Sequence, residues 1–152
     1  MKTRIISGAV LTVILVGAVL GGGTTMFILA AIITALGLYE LYKVVGIEKK
    51  ALGICGYILA ASFYTMLWFD KLQYLEYFCV ASGILTMFVY VCSFKTTRAK
   101  QAAFSLLGIY YVAIPISYIY RIRIMEKGIF IFILVFVCSW IADTFAYFTG
   151  VN

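Results

Sequence analysis

The sequence has no histidine, one proline and only six acidic residues. Without histidine it can build neither a histidine-activated nucleophile nor a histidine-containing zinc site. Charged residues amount to 12% of the 152, about half of the quarter usual in soluble domains, so a fully hydrated surface is excluded. Cysteine is sparse and never paired as CxxC; Cys55, Cys79, Cys92 and Cys138 lie within apolar stretches and read as small packing residues. A single proline beside thirteen glycines argues against a disordered or linker-rich chain. No glycine-rich loop of the P-loop or dinucleotide type is present, and no serine has a base beside it.

What the sequence has in abundance is apolar length. Hydrophobic residues make up 65% and the mean hydropathy is +1.10, which predicts an all-α, polytopic integral membrane helix bundle in a cell membrane. Residues 5–39 carry no charge, and as one helix they would run for about 52 Å, well beyond a hydrocarbon core of about 30 Å. The run Gly21-Gly22-Gly23-Thr24-Thr25 is the natural turn within them. Six spans follow, over about 5–21, 25–42, 52–69, 75–94, 102–120 and 128–149. Lys2 and Arg4 before the first apolar stretch could mark a signal peptide, but the next segment is itself of membrane length, which favours a retained first span.

Twelve Lys and Arg against six acids give a net charge of +6. The cations fall in short clusters between apolar runs, without the interleaved aromatics of a nucleic-acid groove, so no nucleic-acid partner is expected. Such clusters first report orientation and second meet anionic lipid headgroups. Lys2 and Arg4, Lys43, Lys49 and Lys50, and Lys95, Arg98 and Lys100 all fall on one side if the N-terminus is cytoplasmic. Arg121, Arg123 and Lys127 would then face outward. Either that loop is an exception or a neighbouring segment is re-entrant.

Gly17 and Gly21 form a GxxxG pair of the kind that lets helix backbones approach. Pro115 should disturb the fifth span. Tyrosines gather at span ends, as with Tyr39 and Tyr42, Tyr74 and Tyr77, and Tyr118 and Tyr120, in the manner of an interfacial belt. Glu40 can reach Lys43 as a solvated pair, and Glu48, Asp70, Glu76 and Glu126 read as loop charges.

Asp143 is different, because it sits in the otherwise uncharged sixth span. A carboxylate there costs about 3 kcal/mol or more unless it meets a wet cavity or a partner. Helical spacing sets Ser139, Asp143, Tyr147 and Gly150 on one polar stripe. The competing reading ends the span near Ala142 and makes Asp143 the cap of a helix starting at Thr144.

The segment Trp140-Ile-Ala-Asp-Thr-Phe-Ala-Tyr-Phe-Thr-Gly150 resembles the D-T-x-A-Y-x-x-G element of the membrane-embedded phosphatidate cytidylyltransferases. The opening Met1-Lys-Thr-Arg-Ile-Ile-Ser-Gly8 and Glu40-Leu-Tyr42 at the end of the second span are similar to that family's pattern too. The resemblance covers the whole of this sequence but only the front of the family pattern, whose Gly-Lys-rich loop, Ser-Pro-x-Lys-Thr segment and paired aspartates would follow. It therefore implies the N-terminal transmembrane portion of a longer enzyme, inactive on its own. The implied reaction joins CTP and phosphatidic acid into CDP-diacylglycerol and pyrophosphate, in the bilayer, with a divalent metal cofactor, Mg²⁺. By the same resemblance Asp143 is the catalytic residue and metal ligand, Thr144 and Tyr147 support substrate or nucleotide binding, and Gly150 permits a close turn. A homo-oligomer is left open. The CTP-dependent polyprenol and phytol kinases are a sister alternative, and a transporter or membrane scaffold is one from another class.

Overall fold

The computed structural model describes residue 15 and residues 17–150, without the side chains of residues 147 and 148. Six helices follow a short helical stretch at 17–20. They are α1 (Gly23–Val45), α2 (Ala51–Trp68), α3 (Leu75–Cys92, entered through a 3₁₀ turn at Leu72–Tyr74), α4 (Ala99–Leu107), α5 (Ile114–Ile124) and α6 (Gly128–Gly150), with a π-helical segment, Gly108–Ala113, joining α4 to α5. Five stretches are long and apolar enough to cross a bilayer: Gly23–Val45, Ala51–Trp68, Leu72–Cys92, Ala99–Ile124 and Gly128–Ala146. The chain is a polytopic membrane helix bundle. The five stretches match the second to sixth expected spans; most of the first, 5–21, lies outside the described residues, as does the question of its cleavage.

Helix ends are set by local backbone chemistry. The 17–20 helix stops at Gly21, and Gly22 takes φ 96° before α1 begins, so the glycine turn stands where the composition put it. α1 closes with Gly46 at φ 69°. There the Gly46 N–H donates to the Lys43 carbonyl (3.1 Å) and the Ile47 N–H to the Tyr42 carbonyl (2.9 Å), a Schellman ending that plants the Ile47 side chain in the core. α2 ends the same way, with Asp70 in the left-handed position at φ 52° and the Lys71 N–H donating to the Met66 carbonyl (2.9 Å).

Two units emerge from the packing, one of residues 30–117 and one of residues 1–29 with 118–152. In the first, α2, α3, α4 and the π segment pack together around the ring of Tyr42, which is completely buried. Its hydroxyl donates to the Ser105 carbonyl at 2.9 Å, and the Ser105 hydroxyl donates to the Leu52 carbonyl at 2.8 Å. Gly56 and Gly108 press on opposite edges of the ring. Tyr42 is therefore a core residue and not part of an interfacial belt. Tyr39, Tyr74 and Tyr77, about half or more exposed, do fit a belt.

In the same unit, Tyr64 and Thr34 share a hydrogen bond of 2.6 Å, and the Tyr64 hydroxyl also reaches the Ala30 carbonyl at 3.2 Å. Both side chains are buried. Interhelical bonds of this kind contribute about 1 kcal/mol in membranes. Tyr64→Phe should lower stability by about that amount in a mixed-micelle SDS unfolding titration; an unchanged midpoint would show the pair to be energetically silent.

The π segment lies immediately ahead of Pro115. The Ile114 N–H donates to the Ile109 carbonyl, five residues back, and the wider turn takes up a proline that has no N–H to give. The expected disturbance is thus a widened turn inside one continuous 26-residue stretch. Tyr110, carried on that turn, donates to the Cys79 carbonyl (3.0 Å) and shares a hydrogen bond with Ser82 (2.9 Å).

In the other unit, Ala18, Val19 and Met26 form a small core against Leu15, Leu29, Ile119, Tyr120 and Phe132. Three sequence readings are corrected by the structure. The 121–127 loop shrinks to 125–127, because Arg121 and Arg123 belong to the last turn of α5. Arg123 Nε donates to the Val19 carbonyl at 2.8 Å and the Arg121 guanidinium lies over the Tyr118 ring at 5.0 Å, so both cations are held by the bundle. Helices of spanning length lie on either side of the loop. Among the described residues the GxxxG pair makes no helix contact: none lies within 4 Å of a Cβ built on Gly17, and Gly21 meets only Thr25 and Gly17 itself. The expected Glu40–Lys43 pair does not form either; Lys43 Nζ sits over the Tyr39 ring at 5.9 Å, and no ion pair occurs among the described residues.

Candidate functional site

α6 runs unbroken from Gly128 to Gly150, so Asp143 lies within a helix and does not cap one beginning at Thr144. Its carboxylate is exposed and has no hydrogen-bond partner among the described residues. The Thr144 hydroxyl donates to the Trp140 carbonyl at 2.7 Å, which turns its lone pairs outward. Tyr147 falls one turn after Asp143, although its side chain is outside the described residues, and Gly150 is the last described residue of the helix. A Cβ built on Gly150 would meet nothing within 4 Å.

Asp143 and Thr144 continue the face of α6 that carries Phe136 and Trp140, whose rings lie 6.0 Å apart. With Val19 and Leu20 of the first helical stretch, that face lines an apolar groove of about 300 Å³. The carboxylate therefore stands beyond the end of a purely apolar track.

Among the described residues, no three His, Cys, Asp or Glu gather where they could hold a metal ion. Asp143 supplies one hard oxygen. This fits Mg²⁺, which commonly takes one or two carboxylates and fills its octahedron with phosphate oxygens and water.

At one end of the other unit, the sequence-predicted basic clusters meet. Lys50 Nζ donates to the Thr96 carbonyl at 3.4 Å, and Gln101 Nε2 donates to the Val45 carbonyl at 3.1 Å. The loops after α1 and after α3 thus lie on the same side, as their shared charge implied.

The profile of the cytidylyltransferase family matches residues 2–152. The chain belongs to the cytidylyltransferase family. Among its curated relatives are phosphatidate cytidylyltransferases of Staphylococcus saprophyticus, 28% identical over 157 residues, and of Staphylococcus haemolyticus, 27% identical over 157 residues. That of Staphylococcus epidermidis is 28% identical over 156 residues. Each alignment takes in 99% of this chain and 58% of the relative, so the chain spans under two thirds of the length of the proteins it matches. No solved structure is a significant match.

Sequence reasoning singled out Asp143 because a lone charge stands out in an apolar run. It missed the Tyr42–Ser105–Leu52 chain and the glycines around it. Their one signal, small residues at corresponding depths of neighbouring spans, is common in any glycine-rich membrane protein.

Proposed function

We propose that this chain forms part of a phosphatidate cytidylyltransferase. A phosphate oxygen of phosphatidic acid attacks the α-phosphorus of CTP, a new P–O bond forms, the α–β anhydride bond breaks and pyrophosphate leaves. The product is CDP-diacylglycerol. The observation that carries this reading is the family match across residues 2–152, which includes the segment Trp140–Gly150. It is supported by Asp143, a carboxylate kept inside a helix of otherwise uncharged residues, where ionisable side chains mark function by default.

In this reading the Asp143 carboxylate would be a ligand of a Mg²⁺ ion, and Thr144 and Tyr147 would orient the nucleotide. Such an ion, when bound, neutralises charge on the triphosphate as pyrophosphate departs. The apolar track leading to Asp143 keeps the acyl chains of the lipid in place while its phosphate reaches the nucleotide. The clusters of cations support a cytoplasmic N-terminus and a reaction on that side.

The test is a chimera in which residues 1–152 replace the matching portion of the S. saprophyticus relative. Membranes carrying it should convert phosphatidate to CDP-diacylglycerol only when CTP is supplied. A chimera that inserts and folds yet forms none would refute the assignment.

A further inference from the structure

Between the loop after α1 and the start of α4 lies a polar cavity of about 550 Å³, lined by Lys50, Lys95, Thr96, Thr97, Arg98 and Gln101. Three of those residues are cations and none is an acid. Glu48, in the same loop as Lys50, does not line the cavity, and none of the three cations is ion-paired among the described residues. Uncompensated positive charge in a concave site attracts anions.

The frame around these cations is built. Thr97 is 7% exposed, its hydroxyl donating to the Ser93 carbonyl at 2.8 Å, and Lys50 and Gln101 bridge the two loops. The nine-residue helix α4 opens on the cavity behind Arg98, which takes extended backbone (φ −109°, ψ 152°). The free N–H groups of its first turn add positive potential to that of the side chains. Every wall is a span end: α1 finishes at Val45, α2 begins at Ala51, α3 finishes at Cys92 and α4 begins at Ala99. The cavity therefore sits at headgroup depth.

We infer that this cavity binds a phosphate group at the membrane face, with Lys50, Lys95 and Arg98 as its ligands and the headgroup of an anionic phospholipid as its source. Arg98 offers a planar fork that matches two phosphate oxygens, and the lysines add point charge. This does not rest on the reaction proposed above, since neither Asp143 nor α6 takes part.

The experiment compares the purified chain with the triple variant Lys50→Gln/Lys95→Gln/Arg98→Gln and with a control, Lys43→Gln/Lys71→Gln/Lys127→Gln, of equal net charge. All six side chains are exposed, so both variants should fold, which size-exclusion profiles check. Native mass spectrometry then counts phosphatidate and phosphatidylcholine retained by each, and calorimetry measures inorganic phosphate and CTP. The expected result is phosphatidate retention about tenfold or more weaker in the cavity variant and nearly unchanged in the control. Binding of inorganic phosphate or CTP that is lost only in the cavity variant, with no lipid preference, would keep the phosphate site and assign it a soluble source. Equal losses in both variants, or no loss in either, would overturn the proposal.

Discussion

In the chimera with the S. saprophyticus relative, Asp143→Asn should lower CDP-diacylglycerol formation by about a hundredfold or more, with the protein still inserted and folded. The substitution keeps size and shape and removes only the charge. Because the Asp143 carboxylate is exposed on α6 and no described residue hydrogen-bonds to it, its loss leaves no buried group unsatisfied, and stability should hardly move. Groups that stabilise charge developing in a transition state are typically worth factors of about 10² to 10³. A metal ligand should also reveal itself in the metal dependence: the variant should need more Mg²⁺ for half-maximal rate. Thr144→Val provides the contrast, since the Thr144 hydroxyl already donates within its own helix, and a drop of about tenfold or less is expected there. Full activity in Asp143→Asn would remove this residue from the chemistry.

The second large effect concerns stability. Gly56→Val should destabilise the bundle by about 3 kcal/mol, the upper part of the range for overpacked cores. A Cβ at Gly56 would fall on the Tyr42 hydroxyl and lie 2.7 Å from Cζ and 2.9 Å from Cε2 of the same ring. The ring cannot retreat. On its other edge a Cβ at Gly108 would already be 2.6 Å from the same hydroxyl and 2.8 Å from Cε1. Rotating the ring away would also break the bond to the Ser105 carbonyl. Gly83→Val is the matched control, because nothing lies within 4 Å of its Cβ, and its midpoint in an SDS titration should stay within about 0.5 kcal/mol of the parent. Adding Tyr42→Leu to Gly56→Val should recover part of the loss. If the Gly56 and Gly83 variants unfold together, the packing around Tyr42 is not what limits stability.

How much of this was legible beforehand depends on the kind of signal. The second to sixth spans came through among the described residues because a bilayer demands about 20 apolar residues per helix, and few charges interrupt them here. The turn at Gly22 was legible because a left-handed residue there needs glycine. The role of Tyr42 was not, because position near a span end predicts an interfacial tyrosine, and only the neighbours Gly56 and Gly108 make room for a buried one. Arg121 and Arg123 misled for a related reason: long cationic side chains can stay in a helix and reach backbone carbonyls or rings, so a basic run need not be a loop. Asp143 was singled out by its isolation, whereas the cavity between Lys50 and Arg98 needed the folded chain to bring residues so far apart in sequence together.

The π segment at Gly108–Ala113 carries one more consequence, for phase. Ala102, Ser105, Ile109, Ala113 and Ser117 are all buried, and the last four follow one another at intervals of four. On a regular α-helix each four-residue step overshoots a full turn by about 40°, so such a series would wind off its face within three steps. A wider turn in the middle absorbs the excess, much as an inserted residue does in a supercoiled helix. The two halves of the span thereby stay in register with one surface, on a period that no amphipathic analysis tuned to 3.6 residues would recognise. Removing one residue from 108–113 would restore regular helix and turn one half by about 100° against the other, moving Ser105 or Ser117 out of the core. The segment acts as a phase adjuster, and its length is a property of the fold as specific as any side chain in it.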